Sequence, residues 1–195
     1  QLESNVKNKT YANELGERYA LSYAYLINNN LKEATSELEW IKSKNIQNPM
    51  IEQLNIEILL KKGNTDAAFI AIQKALTKYP NYRAFIYALA NYFIQTKSIN
   101  EAIKFLEKYV KIFQKDPEIY RLLAKAYSLN GREVLQYESL AESFYYSYDL
   151  QEAIVQMDMA TRARDGNFYE KSRVEARLKQ LQREKEIYEI SKENL

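Results

Sequence analysis

Apolar side chains recur at helical spacing through most of the chain, and small residues punctuate them on a longer rhythm. Ala34, Ala68 and Ala102 lie 34 residues apart, in the matching settings Lys-Glu-Ala34, Asp-Ala-Ala68 and Asn-Glu-Ala102. Counted from starts at Leu15, Pro49, Arg83 and Pro117, these alanines take the twentieth place of their period. Leu21, Leu89 and Leu123 share one earlier place, and Tyr25, Leu59, Phe93 and Tyr127 share a large place four residues on. Ser22, Ala90 and Ala124 share a small place, which lets neighbouring helices approach; Ile56 fills it in the second period. Gly63 and Gly131 mark the turn inside a period, where left-handed backbone ends a helix at low cost. Pro80 marks the turn that follows a period's second helix.

The pattern predicts helix pairs over 11–28 with 31–43, 49–62 with 65–78 and 82–95 with 99–113, and a further helix over 117–129. Asp116-Pro117 is a helix start, an acidic cap before Pro at the first helical position. The phase then slips. The next small place is Ala153, 51 residues past Ala102, or one and a half periods. The simplest account makes 133–147 serve twice, closing the fourth pair and opening a fifth. Tyr137, Leu140, Ala141 and Phe144 fit a first helix, and Ala153, Met157 and Ala160 a second. Asp165-Gly166-Asn167 signals a turn before a long charged helix.

A 34-residue period with helix–turn–helix texture is the signature of tetratricopeptide (TPR) repeats. The predicted fold is therefore all-α, a TPR superhelical solenoid of about ten antiparallel helices. A polar C-terminal cap helix over 168–190 closes the last apolar face. Residues 1–10 read as a flexible linker and 11–195 as a single domain. Its repeats fall near 15–48, 49–82, 83–116 and 117–150, with a half-repeat-shifted unit over 134–167.

Composition narrows the function. The chain has 195 residues, with 4 Gly and 3 Pro, so few points break a helix. Its 28 basic and 26 acidic residues are well mixed, without the basic stripe of a nucleic-acid binder. No apolar run reaches the roughly 18 residues of a membrane span, and no signal peptide is expected within these 195 residues. The first residue is Gln, which reads as an excised fragment. Cysteine is absent, which fits an oxidising compartment as well as a reducing one. Histidine is absent too, so neither a histidine-ligated zinc nor a Ser-His or Cys-His pair can be built. Neither a cofactor nor catalysis is expected of this chain. Paired carboxylates such as Glu138 and Glu142 lack a nucleophile or metal to work with.

Four later segments carry a closer resemblance: Leu140-Ala141-Glu142-Ser143-Phe144, Tyr148-Asp149-Leu150-Gln151-Glu152-Ala153-Ile154, Asp165-Gly166-Asn167-Phe168-Tyr169 and Arg173-Val174-Glu175-Ala176-Arg177-Leu178. With the opening Glu17-Arg18-Tyr19-Ala20-Leu21-Ser22-Tyr23-Ala24-Tyr25-Leu26, they resemble the C-terminal TPR domain of periplasmic β-barrel assembly-enhancing zinc metalloproteases. The resemblance runs from about Tyr11 to Glu186. It implies a periplasmic location, a zinc protease domain with an HExxH helix elsewhere in the parent, and protein partners. Those partners are the outer-membrane β-barrel assembly machinery, its stalled substrates and the parent's own protease domain. The HExxH motif is missing from this chain. The alternative is a stand-alone TPR scaffold, such as a secretion or pilus-assembly adaptor, with a cytoplasmic location.

TPR arrays hold ligands mainly on the face made by first helices. In this register that face carries Tyr19, Tyr23, Leu26 and Ile27, then Gln53, Glu57 and Lys61, then Tyr87, Asn91 and Gln95, then Arg121 and Lys125. The shifted unit adds Glu138, Glu142, Tyr145 and Tyr146. The predicted groove is aromatic and amide-rich, with a basic patch in the middle. Packing between helices is the other role open to each tyrosine. Tyr19 and Tyr23 stand where chaperone-binding TPR proteins carry a Lys/Asn carboxylate clamp, so acidic-tail capture is not expected. The charged final helix offers Arg173 and Arg177 as a docking face, the alternative being a solvated cap.

Overall fold

A computed structural model describes residues 1–193, and among them every regular element is an α-helix. The chain divides into two compact units, Gln1–Leu89 and Ala90–Leu195, where the sequence suggests one domain. In a repeat array each helix pair packs on its neighbours alone, so no single core gathers the whole chain.

The first unit holds α1 (Leu2–Asn8), α2 (Glu14–Ile27), α3 (Leu31–Ser43), α4 (Pro49–Lys61) and α5 (Thr65–Lys78), and the boundary falls inside α6 (Arg83–Gln95). Residues 1–10 are not the flexible linker the sequence suggests. The helix α1 is tied to α2 by Asn5 Nδ2 donating to Glu17 at 2.6 Å and by the Tyr25 hydroxyl donating to Glu3 at 2.7 Å. A seven-residue helix is too short to persist alone, and these bonds are what hold it. Asn13 caps α2, and Asn48 caps α4 with Pro49 next to it.

The repeat places behave as their size requires. Ala34 and Ala68 at the twentieth place are fully buried, as are Ser22 and Ile56 at the small place. The Ser22 hydroxyl donates to the Ala34 carbonyl at 2.7 Å, so the polar small residue fastens α2 to α3. Leu38, Ile41, Leu54 and Ile58 fill the core between these helices. Each such burial is worth about 1.5–3 kcal/mol.

The second unit contains α7 (Ile99–Ile112), α8 (Pro117–Leu129), α9 (Glu133–Tyr146), α10 (Leu150–Arg162) and α11 (Phe168–Glu193). Asp116 caps α8 from its position before Pro117, accepting from the amides of Glu118 and Ile119. Ala102, Ala124 and Ala153 are buried at their small places. Helix α9 packs against both α8 and α10. On α11 the buried Val174 and Leu181, with Leu178 between them, form a narrow apolar seam against Ala153, Met157 and Ala160.

One turn geometry recurs. Asn29, Gly63, Lys97 and Gly131, each 34 residues from the next, all adopt left-handed backbone, with φ of 62°, 75°, 61° and 70°. Tyr148, half a period later, does the same at 65°. In each turn the following amide reaches back five residues to close the preceding helix, from Asn30 to Tyr25 and from Asp149 to Phe144. The phase slip therefore inserts one complete helix while keeping the local turn chemistry.

The loop between α10 and α11 is more than a turn. Asp165 accepts from the Val134 amide at 2.9 Å and so caps α9. Asn167 and Glu170 cap α11 reciprocally, each accepting from the other's backbone amide. Arg132 donates to Glu170 at 2.7 Å and lies 3.5 Å from Asp165. Gly166 sits between them at φ +95°.

Candidate functional site

The first unit brings four predicted groove residues together. Tyr19 and Tyr23 come from α2, and Gln53 and Glu57 from α4. The Gln53 amide donates to Glu57 at 2.8 Å and accepts from the Tyr82 hydroxyl at 3.2 Å. Burial, then the charge of Glu57 and the neighbouring phenols of Tyr82 and Tyr23, raise the Tyr19 hydroxyl above its ordinary pKa. One turn along, Tyr23, Leu26, Ile27, Glu57, Leu60 and Lys61 line an open groove of 430 Å³. Tyr23, Ile27 and Leu60 are 43%, 64% and 37% exposed, an accessible apolar strip beside a polar network. Leu26 lines the groove but is rooted in the core.

Leu60 occupies the twelfth place of its repeat, equivalent to Leu26 in the first. Tyr82 precedes α6 in a turn, outside the first-helix positions, and no repeat place marks it. Tyr87 and Asn91 are both half-buried and fall on either side of the unit boundary. Gln95 is exposed.

In the second unit, a cleft of 770 Å³ runs along α7, α8, α9 and α11. It gathers Glu138, Glu142 and Tyr146 from the shifted unit's face, with Arg173 and Arg177 from α11. Both arginines are engaged inside the fold. Arg173 chelates Glu138, with Nε at 2.6 Å, and Arg177 chelates Glu142 at 2.7 and 2.9 Å. Arg177 also lies 4.5 Å over the Tyr145 ring. The docking face suggested for Arg173 and Arg177 is thus a clamp that seats the cap helix. Each acid meets the arginine 35 residues later, and the four-residue step on α9 matches the four-residue step on α11.

The basic patch is not assembled as the sequence suggests. Arg121 is exposed and held by Glu118 on its own helix at 2.7 Å, and Lys125 is exposed. Neither lines the cleft, where α8 presents Tyr120, Leu123 and Tyr127 instead. Tyr120 stacks on Tyr146 at 5.5 Å, and the Tyr127 hydroxyl donates to Glu107 at 2.7 Å. Burial, with Glu107 adding to it for Tyr127, pushes both phenols well above the ordinary tyrosine range. Among the described residues no three Asp or Glu side chains converge to hold a metal ion, and no helix is long and apolar enough to cross a membrane.

Residues 59–126 match the family model described as tetratricopeptide repeat. Over 152 residues the chain is 29% identical to the beta-barrel assembly-enhancing protease of Yersinia pestis, covering 73% of this chain and 31% of that protein. The chain thus spans less than a third of that relative's length. Among solved structures, MamA from Desulfovibrio magneticus RS-1 gives a TM-score of 0.59 at 18% identity, covering 89% of this chain and 98% of that one. A tetratricopeptide repeat protein from Parabacteroides merdae gives 0.56 at 15%, covering 95% and 79%. The fold is that of a TPR solenoid.

Proposed function

We propose that the chain is the partner-binding and regulatory part of a periplasmic zinc metalloprotease, and that it holds components of the outer-membrane β-barrel assembly machinery or their stalled substrates. The zinc and its HExxH helix belong to a protease domain outside this chain, which is itself a further partner. The likeness to the Yersinia pestis protein supports the choice of parent. The observation that carries binding is the open groove in which Tyr23 and Glu57, the latter held by Gln53, lie beside the apolar strip of Ile27 and Leu60. A Tyr anchor buries a large area at small rotamer cost and keeps a polar handle. Exposed groove side chains contribute to a partner without being needed to pack the repeats.

The test is affinity purification of the full-length parent carrying Tyr23→Ala with Ile27→Asp. Hot-spot truncations commonly cost about 2 kcal/mol or more, so recovery of assembly components should fall roughly 30-fold while helicity is unchanged. Undiminished recovery overturns the proposal.

A further inference from the structure

At the polar end of the first unit's groove stands a carboxylate that no cation among the described residues engages directly, Glu57. Glu57 is half-buried on α4 and makes no ion pair among the described residues. Its hydrogen bond is one donated by Gln53, itself held by Tyr82. A carboxylate has about four acceptor sites, so most of its capacity stays unfilled. Lys61, one turn along the same helix, is exposed and is not paired with it. Tyr23 lines the groove with this carboxylate, and Tyr82 reaches it through Gln53.

We infer that this groove receives a cationic side chain, a Lys or Arg of a partner segment, at Glu57 beside Tyr23, with an adjacent aliphatic residue against Ile27 and Leu60. The inference rests on the groove being the binding face. The chemistry is complementary at each point. A guanidinium or ammonium supplies only donors, which is what Glu57 and the phenol oxygens lack. Aromatic faces attract cations, most strongly where water is partly excluded. Bonds from Gln53 and Tyr82 fix the acceptors in place beforehand, so little ordering remains for the moment of binding. An acidic segment meets repulsion at the same point. The charge preference is therefore opposite to that of a basic carboxylate clamp.

The test is selection of short random peptides displayed on phage against the full chain and three variants. Glu57→Gln keeps the size of the side chain and its acceptor for Gln53 but removes the charge. Glu57→Lys reverses it. Ile27→Asn spoils the apolar strip without changing the charge. The expected result is enrichment of peptides with Lys or Arg beside an aliphatic residue. Their affinity should fall about tenfold or more in Glu57→Gln, as for loss of a hydrogen bond to a charged group, and weaken as salt rises. Glu57→Lys should enrich acidic peptides instead. If peptides enrich without a basic preference, or bind Glu57→Gln unchanged, yet are lost in Ile27→Asn, the groove stands and the cation site is refuted. If Ile27→Asn also changes nothing, or no peptide enriches, groove and cation site are refuted together.

Discussion

Replacing Gly166 by Ala should destabilise the second unit more than the same change at any other turn glycine. Gly166 lies at φ +95°, and a Cβ there would sit 2.8 Å from Val134 Cγ2. Val134 is fully buried among Ala141, Ala153 and Met157 and cannot swing aside. The left-handed backbone costs a residue with a side chain about 1–2 kcal/mol. Pushing packed core atoms apart costs about 1–3 kcal/mol more. The stiffer unfolded chain offsets about 0.4–1 kcal/mol. The balance is a loss of about 3 kcal/mol. Gly131→Ala is the control, since its φ of +70° carries the backbone cost but nothing lies within 4 Å of the new Cβ. It should lose about 1 kcal/mol. Urea unfolding followed by circular dichroism, with hydrogen exchange read on α9 and α11, separates the two. Adding Val134→Ala to Gly166→Ala makes room for the methyl, so the double variant should lose at least about 1 kcal/mol less than the sum of the singles. Equal losses at Gly166 and Gly131, or strict additivity with Val134→Ala, would show that the contact with Val134 carries no cost.

Two further outcomes follow from the side-chain network. Arg177→Met leaves the partly buried Glu142 without its chelating cation and should cost about 2 kcal/mol in urea unfolding, whereas Arg177→Met with Glu142→Leu should recover most of that. Alkaline pH should loosen the fold. The bond to Glu3, with burial, raises Tyr25 to about 12, and burial raises Tyr120 and Tyr127. Raised folded values mean that these protons stabilise the native chain below pH about 10 and that stability falls as pH climbs past 10. Titration of phenolate absorbance should show tyrosines ionising late, and Glu3→Gln should bring Tyr25 back towards 10; a titration in which every tyrosine ionises near 10 would contradict this.

How much was legible depends on how far apart the interacting groups are. Helix α3 (Leu31–Ser43), α5 (Thr65–Lys78) and α8 (Pro117–Leu129) begin and end where the spacing, caps and turn glycines place them, because those signals act within a few residues. The buried alanines at places twenty and eight follow from the period alone. Arg173 and Arg177 are different. Viewed on their own helix they are solvated cations, and their partners lie 35 residues back. The matched spacing of Glu138 and Glu142 with Arg173 and Arg177 was a signal, visible only when the two helices are laid side by side. Tyr82 escaped because it lies in a turn, where no periodic place marks a groove residue. Helix α1 escaped because a short polar segment owes its order to bonds with α2 rather than to its own pattern.

On the proposed function, protein partners sit on the face of α2 and α4 in the first unit. A photo-crosslinking amino acid at position 27, in the groove, tests it in living cells, against the same probe at position 70 on α5, which is exposed but outside the groove. Mass spectrometry of the adducts should identify outer-membrane assembly components or their substrates from position 27 and none from position 70. Adducts from position 70 alone, or an equal yield from both, would contradict the assignment.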